Sequence, residues 1–243
     1  MLNHPQISNR LGPDWTSTEV SPKAWMSIRD ADILEMLLLR LGQKKGAKLR
    51  VLEWGCGLST LWYTRYLERC NISYQWLGLE HNKAFFNNEI APYFLKQSST
   101  VVDCDNMTGA VTHHWNGENE RVVALFDHGH IAPFESQLES DRNVNMDAYV
   151  ALPKSWNFHC DIAIVDGRKR RRCLLEAQQL VGENGVVILH DAWRKHYHSS
   201  WSAFKYHRLI GDELWIGMNN KIDLSELLPW HAFIHHYDYS DAI

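Results

Sequence analysis

The residues of this chain best suited to chemistry are acids, and each closes a short apolar run. The run 49–54 ends in Glu53-Trp54 and passes at once into Gly55-Cys56-Gly57-Leu58-Ser59-Thr60. Glycines after a strand let the backbone turn tightly and approach a ligand closely. The helix that follows offers free N–H groups at its start, with Ser59 or Thr60 to cap it. Glu80 closes the next run, 27 residues after Glu53. An acid there can accept hydrogen bonds from both ribose hydroxyls of a nucleoside. Asp166 closes the run 161–166, and His190-Asp191 closes 186–191. Paired carboxylates at neighbouring strand ends can bind a divalent cation, or one can act as a general base, and His190 can accept a proton. The run Arg168-Lys169-Arg170-Arg171-Arg172 opens the next helix. Cations there oppose the helix dipole at about a few tenths of a kcal/mol each. Arg168, close to Asp166, is the one expected to reach the site, and the others read as a solvated face.

Two periodicities position these residues. Trp25, Ile28, Ile33, Leu37 and Leu41 recur at helical spacing and predict a helix over 23–43, with Gly42 as its stop. Helices are expected again over 59–69, 83–95 and 169–181. Strands are expected over 49–54, 74–80, 101–104, 161–166 and 186–189. Gly211-Asp212 between 204–210 and 213–218 is a hairpin signal. Such alternation predicts an α/β, doubly wound, mostly parallel sheet ending in an antiparallel hairpin. Ligands then bind outside the carboxyl ends of the strands, near the switch point. Around this frame, 1–22 reads as an arm, the polar stretch 105–157 as an insertion able to act as a lid, and 220–243 as a tail rich in Trp, His and Tyr. The whole, 1–243, reads as one domain.

Composition narrows the function. The chain has 243 residues, 45% hydrophobic and 22% charged, which excludes wholesale disorder. A net charge of −4 argues against a protein that coats nucleic acid or an anionic membrane. Five scattered cysteines without a C-x-x-C pair read as reduced thiols in a cytoplasmic protein. No apolar stretch suits a signal peptide or a bilayer span. Fourteen His and 11 Trp are the unusual counts. The pairs His113-His114, His128/His130, His196/His198 and His235-His236 lack metal-ligand spacing and read as surface or packing residues. Trp25, Trp115, Trp156, Trp193 and Trp201 are candidates for pocket walls.

The ordered set of motifs resembles class I S-adenosylmethionine-dependent methyltransferases. Glu53-Trp-Gly-Cys-Gly-Leu-Ser-Thr60 looks like the family's first motif. Asp161-Ile-Ala-Ile-Val-Asp166-Gly-Arg168 and Gly185-Val-Val-Ile-Leu-His190-Asp191 look like fourth- and fifth-strand motifs of a bacterial-type small-molecule subgroup. The resemblance spans roughly 25–218 and implies a seven-stranded Rossmann-like sheet. It implies that Glu53, Gly55 and Gly57 hold the methionine end of the cofactor, that Cys56, Ser59 and Thr60 also belong to the cofactor-binding set, and that Glu80 with His81 holds the ribose. Asp103 and Cys104 would lie near the adenine. Asp166, His190, Asp191 and Arg168 would be catalytic, acting on a small-molecule acceptor, with O-methylation favoured. Relatives that bind magnesium through Asp166- and Asp191-like acids carry an Asn after the second acid. Ala192 stands there in this chain. Two other readings remain: an NAD-dependent enzyme, disfavoured because Thr60 replaces the third glycine of the dinucleotide fingerprint, and a non-catalytic binding or scaffold protein. No nucleic-acid or membrane partner is expected, and a homo-oligomer is left open.

Overall fold

Strand β1, Leu49–Trp54, is nearly free of solvent contact along its length, and everything else is arranged around it. The computed structural model describes residues 26–94, 99–105, 113–128 and 143–234. The arm 1–22, Trp25, His130 and His235-His236 lie outside the described residues. The other strands are β2 (Tyr74–Glu80), β3 (Ser99–Asp103), β4 (Asn119–Leu125), β5 (Cys160–Val165), β6 (Val181–Leu189), β7 (Tyr206–Ile210) and β8 (Leu214–Met218). Their order is β3-β4-β2-β1-β5-β6-β8-β7. The pairings from β3 to β6 are all parallel, while β8 runs antiparallel to both β6 and β7. The chain leaves β1 toward β2 on one side and returns to β5 on the other. The switch point therefore lies between the carboxyl ends of β1 and β5.

The expected α/β sheet with its reversed hairpin is present, with eight strands rather than seven. The additional strand is β4, inside the segment expected to be an insertion. Val122, Val123 and Ala124 are fully buried there, and β4 pairs with β2 along its whole length. Helix α4 (Asp147–Ser155) also belongs to that segment, and Tyr149, Val150 and Leu152 are buried in the core. The described parts of 105–157 are thus largely scaffold.

Side chains alternate across β1 as a pleated strand requires. Leu49 and Val51 face a layer made by α1 (Ile28–Lys45) and α2 (Leu58–Arg69), where Ile33, Leu37, Leu41, Tyr63 and Leu67 pack. Leu52 and Trp54 face α4 and α5 (Arg170–Leu180), against Tyr149, Cys173, Leu174 and Ala177. The helical stretch α3, Lys83–Phe85 continued by a π segment Phe86–Ile90 and by Ala91–Phe94, packs over β4 through Phe86, Ile90 and Phe94.

Helix α1 differs in phase from its expected span. Ser27 caps it, accepting from the Asp30 amide at 3.1 Å, and Gly46 ends it in the left-handed region at φ 61°. Gly42 lies inside the helix, where a Cβ would stand 2.4 Å from Ile72, so it serves close packing and not the stop. The first turn of α1 also clamps the distant hairpin. The buried Asp30 carboxylate accepts from the Asp212 and Glu213 amides at 2.7 and 3.0 Å. Gly211, at φ +62°, leaves the room for it, since a Cβ there would be 2.1 Å from Asp30 Oδ1. Burial pushes the Asp30 carboxyl up to about 6, against those two amides. Gly211→Ala is accordingly expected to lower stability by about 2–4 kcal/mol in urea denaturation, through the positive φ and the lost clamp. A change below about 0.5 kcal/mol would contradict this account.

Candidate functional site

The strand-end acids divide into three groups once the chain is folded. Glu53 forms the first. It sits on the last turn of β1, fully buried. Its carboxylate accepts from the Ser59 and Thr60 hydroxyls and from Trp76 Nε1 at 2.9 Å. Burial pushes this carboxyl up to about 7 despite those three donors. Thr60 Oγ1 also accepts from the Gly57 amide at 3.1 Å. Glu53, Ser59 and Thr60, expected to touch a cofactor, therefore hold one another and fix the glycine turn from below. Cys56 likewise points its thiol into packing, next to Gly78 of β2.

The turn itself has two different glycines. Gly55, at φ +94°, presses on the loop after β5, where a Cβ would stand 2.5 Å from the Gly167 amide nitrogen. It joins the two loops at the switch point. Among the described residues, a Cβ on Gly57 would meet no atom within 4 Å, so that side of the turn is not filled by them.

Glu80 and its neighbours form the second group. Glu80 ends β2 with its side chain 5% exposed, and Oε1 accepts from the Asn82 amide at 2.8 Å. His81 Nδ1 lies 2.9 Å from the same oxygen. The strand beside β2 is β4, so the end of β4 flanks Glu80. Phe126 N–H donates to Glu80 O at 2.9 Å, and His128 N–H to His81 O at 3.0 Å. The His128 ring stacks on Phe126 at 6.1 Å and 8°. Burial lowers the His128 pKa, which keeps it neutral near pH 7. Asp103 and Cys104 stand one strand further out, on the edge strand β3, where Asp103 pairs with Lys83. Phe126, Asp127 and His128 take the place expected for them. The signal was in the sequence: Val122–Phe126 followed by an acid repeats the pattern of the other strand ends.

The third group gathers Asp166, His190 and Asp191 at the ends of β5 and β6. Here Arg170, and not Arg168, is the organising cation. It is 7% exposed and stands on the first turn of α5. Its Nη2 lies 2.9 Å from both Asp166 Oδ1 and Asp166 O. Its Nη1 reaches Asp191 Oδ2 at 2.9 Å and His190 O at 2.7 Å, and its Nε reaches Gly167 O at 3.0 Å. Four of these contacts are hydrogen bonds and the Asp166 Oδ1 contact is an ion pair, so all three guanidinium nitrogens are engaged. Lys169 is buried too, so the basic run is only partly a solvated face.

His190 Nδ1 is 2.9 Å from Asp166 Oδ1, and its Nε2 is 3.5 Å from Glu213 Oε2. Arg194 adds a second cation to Asp191 at 3.0 Å. Burial alone would lower the His190 pKa, but the Asp166 carboxylate outweighs it and carries it up to about 9. Asp166 is raised by burial and lowered more strongly by His190 and Arg170, so it stays below the ordinary carboxylate range. Glu213, just ahead of β8, is raised by burial. Three acids, Asp166, Asp191 and Glu213, are thus interleaved with Arg170, His190 and Arg194. Sequence reasoning took Glu213 only as the start of a hairpin strand, although antiparallel pairing of β8 with β6 sets that start beside the carboxyl end of β6.

Asp166, His190 and Asp191 have ligand atoms within 4.8 Å of one another, a spacing a divalent ion could use. Each carboxylate, however, already holds Arg170. An ion about 5 Å from that guanidinium would meet a repulsion of roughly 6 kcal/mol at an effective dielectric of 20. The residues present do not fit a metal in this arrangement.

The expected tryptophan walls mostly lie elsewhere. Trp115 packs on Phe158 at 4.8 Å, and Trp156 lies near His113, both at the amino ends of β4 and β5. Trp201 stacks on Trp215 at 5.5 Å. Trp193 stays near the acids, with the Arg194 guanidinium 5.0 Å over its ring.

No protein-family profile matches the chain, and no curated protein matches it. Among solved structures it is similar to a methyltransferase-like protein from Silicibacter pomeroyi, with 16% identity over 86% of this chain and 98% of that one, at a TM-score of 0.52. It also aligns with the O-methyltransferase TomG from Streptomyces achromogenes, determined in complex with S-adenosylmethionine, at 14% identity, 82% and 83% coverage and a TM-score of 0.46. The O-methyltransferase from Bacillus cereus, in complex with S-adenosylhomocysteine, aligns at 13%, 81% and 84%, with a TM-score of 0.45. The architecture is the Rossmann-like methyltransferase fold. No helix among the described residues is long and apolar enough to cross a membrane.

Proposed function

We propose that the chain is a class I S-adenosylmethionine-dependent methyltransferase that methylates an oxygen of a small molecule. The observation that carries this reading is the pairing of Glu80 at the end of β2 with the side of the turn at Gly57, after β1, that the described residues leave unfilled. Glu80 would hold the ribose hydroxyls, with Phe126 and His128 beside it for the adenine and the Gly57 backbone near the methionine end. When bound, the cofactor supplies an electrophilic sulfonium methyl. The chain's own part is to orient the acceptor oxygen in line with that carbon and to accept its proton. His190, raised to about 9, is protonated at neutral pH and cannot take it. Asp166 and Asp191 are engaged by Arg170. Glu213, half-exposed and raised by burial, is the carboxylate of the cluster suited to that step.

Calorimetric titration tests the reading. S-adenosylmethionine and S-adenosylhomocysteine should bind, NAD should not, and Glu80→Ala should weaken both at least 100-fold by losing the ribose contacts. Absence of binding, or binding indifferent to Glu80→Ala, would sink the proposal. Tight NAD binding would favour the reading as an NAD-dependent enzyme instead. Binding without methyl transfer to any alcohol, phenol or carboxylate acceptor would favour the scaffold reading.

A further inference from the structure

Arg170 belongs to the α5 stripe of Cys173, Leu174 and Ala177, three, four and seven residues on, and that stripe faces the core. A buried cation is tolerated only with partners, and Arg170 has a carboxylate from each of two strand ends and three carbonyls. It touches both strand ends that a bridging divalent ion would join. We propose that Arg170 is a built-in replacement for that ion: it draws the ends of β5 and β6 together and makes the Asp166–His190–Asp191 cluster refractory to metal. Each of its three guanidinium nitrogens is engaged inside the protein, so Arg170 is a positioning residue. Aromatic support from Tyr197, whose ring lies 5.5 Å from the guanidinium carbon, fixes it from the remaining side.

The inference concerns ion occupancy and does not depend on methyl transfer, so its test uses no turnover. Mn²⁺ is titrated into the full chain and into Arg170→Ala by calorimetry, with thermal unfolding followed in parallel. The wild type should take up no Mn²⁺ at this cluster. Arg170→Ala should gain at least tenfold in Mn²⁺ affinity, lose that gain on adding Asp166→Asn, and be restabilised by Mn²⁺ or by millimolar methylguanidinium, but not by equal ionic strength of sodium. Rescue by two such different cations is not expected of a residue that merely fills space. If Arg170→Ala does not fold alone, refolding it with Mn²⁺, methylguanidinium or sodium is the deciding measurement. Recovery with the first two supports the proposal, and failure in all three overturns it. Wild-type Mn²⁺ binding that falls tenfold in Asp166→Asn also overturns it. A lack of methyl transfer by the wild type, with these binding results intact, would refute the proposed function and leave this inference standing.

Discussion

Glu53→Ala should lower the stability of this protein by about 3–5 kcal/mol and, in the same variant, loosen the glycine turn to which we assign cofactor binding. Glu53 is fully buried, yet three separate donors converge on it: two hydroxyls from the start of α2 and the indole N–H of Trp76. Alanine leaves all three without an acceptor and opens a hole beneath the turn. Each orphaned buried donor costs about 1–3 kcal/mol, and they do not add fully because the hydroxyls can rotate toward one another. Glu53→Gln separates charge from shape. The carboxyl, at about 7, is half neutral near physiological pH already, so the amide should recover most of the loss at pH 6 and less at pH 8. Urea denaturation of the two variants at those pH values decides the matter. A loss below 1 kcal/mol in Glu53→Ala would show that the network contributes little.

The second large effect is a fall in stability on the alkaline side. The His190 pKa is raised from 6.5 to about 9 by folding. A group raised in this way contributes stability that is complete below its unfolded value and disappears as pH climbs through the folded value. The window therefore runs from about pH 6.5 to just past 9, and the loss across it is of order 3 kcal/mol. Asp30 and Glu53, raised to about 6 and 7, act in the same direction at lower pH. Comparing the wild type with His190→Asn isolates the histidine: the variant should be less stable at pH 6.5, and the two curves should converge by about pH 9.5. Parallel curves over that range would mean that His190 is neutral throughout.

The sequence made some of this visible and hid the rest for identifiable reasons. β1, β2, β5 and β6 were legible because each is a continuous apolar run buried on both faces, which needs no periodicity to recognise. β4 was obscured because its run is framed by Gly117 and polar residues. The shorter run Val101-Val102 before Asp103 comes earlier in the chain and reads as the third strand. The strand-end acids were legible by position, but their roles were not. Glu53 looks like Glu80 in sequence, and only the pleat, which turns Glu53 inward under α2, separates an acid bound up beneath the glycine turn from one beside the end of β4. Arg170 was hidden inside a run of five basic residues, where charge suggests solvent. Its phase with Cys173, Leu174 and Ala177 carried the contrary signal.

The Asp30 clamp bears on the order of events as the chain is made. Its two hydrogen bonds join residues 182 and 183 positions apart. Closing a loop of that size before the intervening sheet exists is entropically unfavourable, so the clamp is a late contact and α1 waits on the sheet with its first turn unanchored while the hairpin is still being synthesised. Contacts made after the folding barrier act mainly by slowing unfolding. Asp30 therefore works as a latch, setting how long the finished protein lasts rather than how fast it forms.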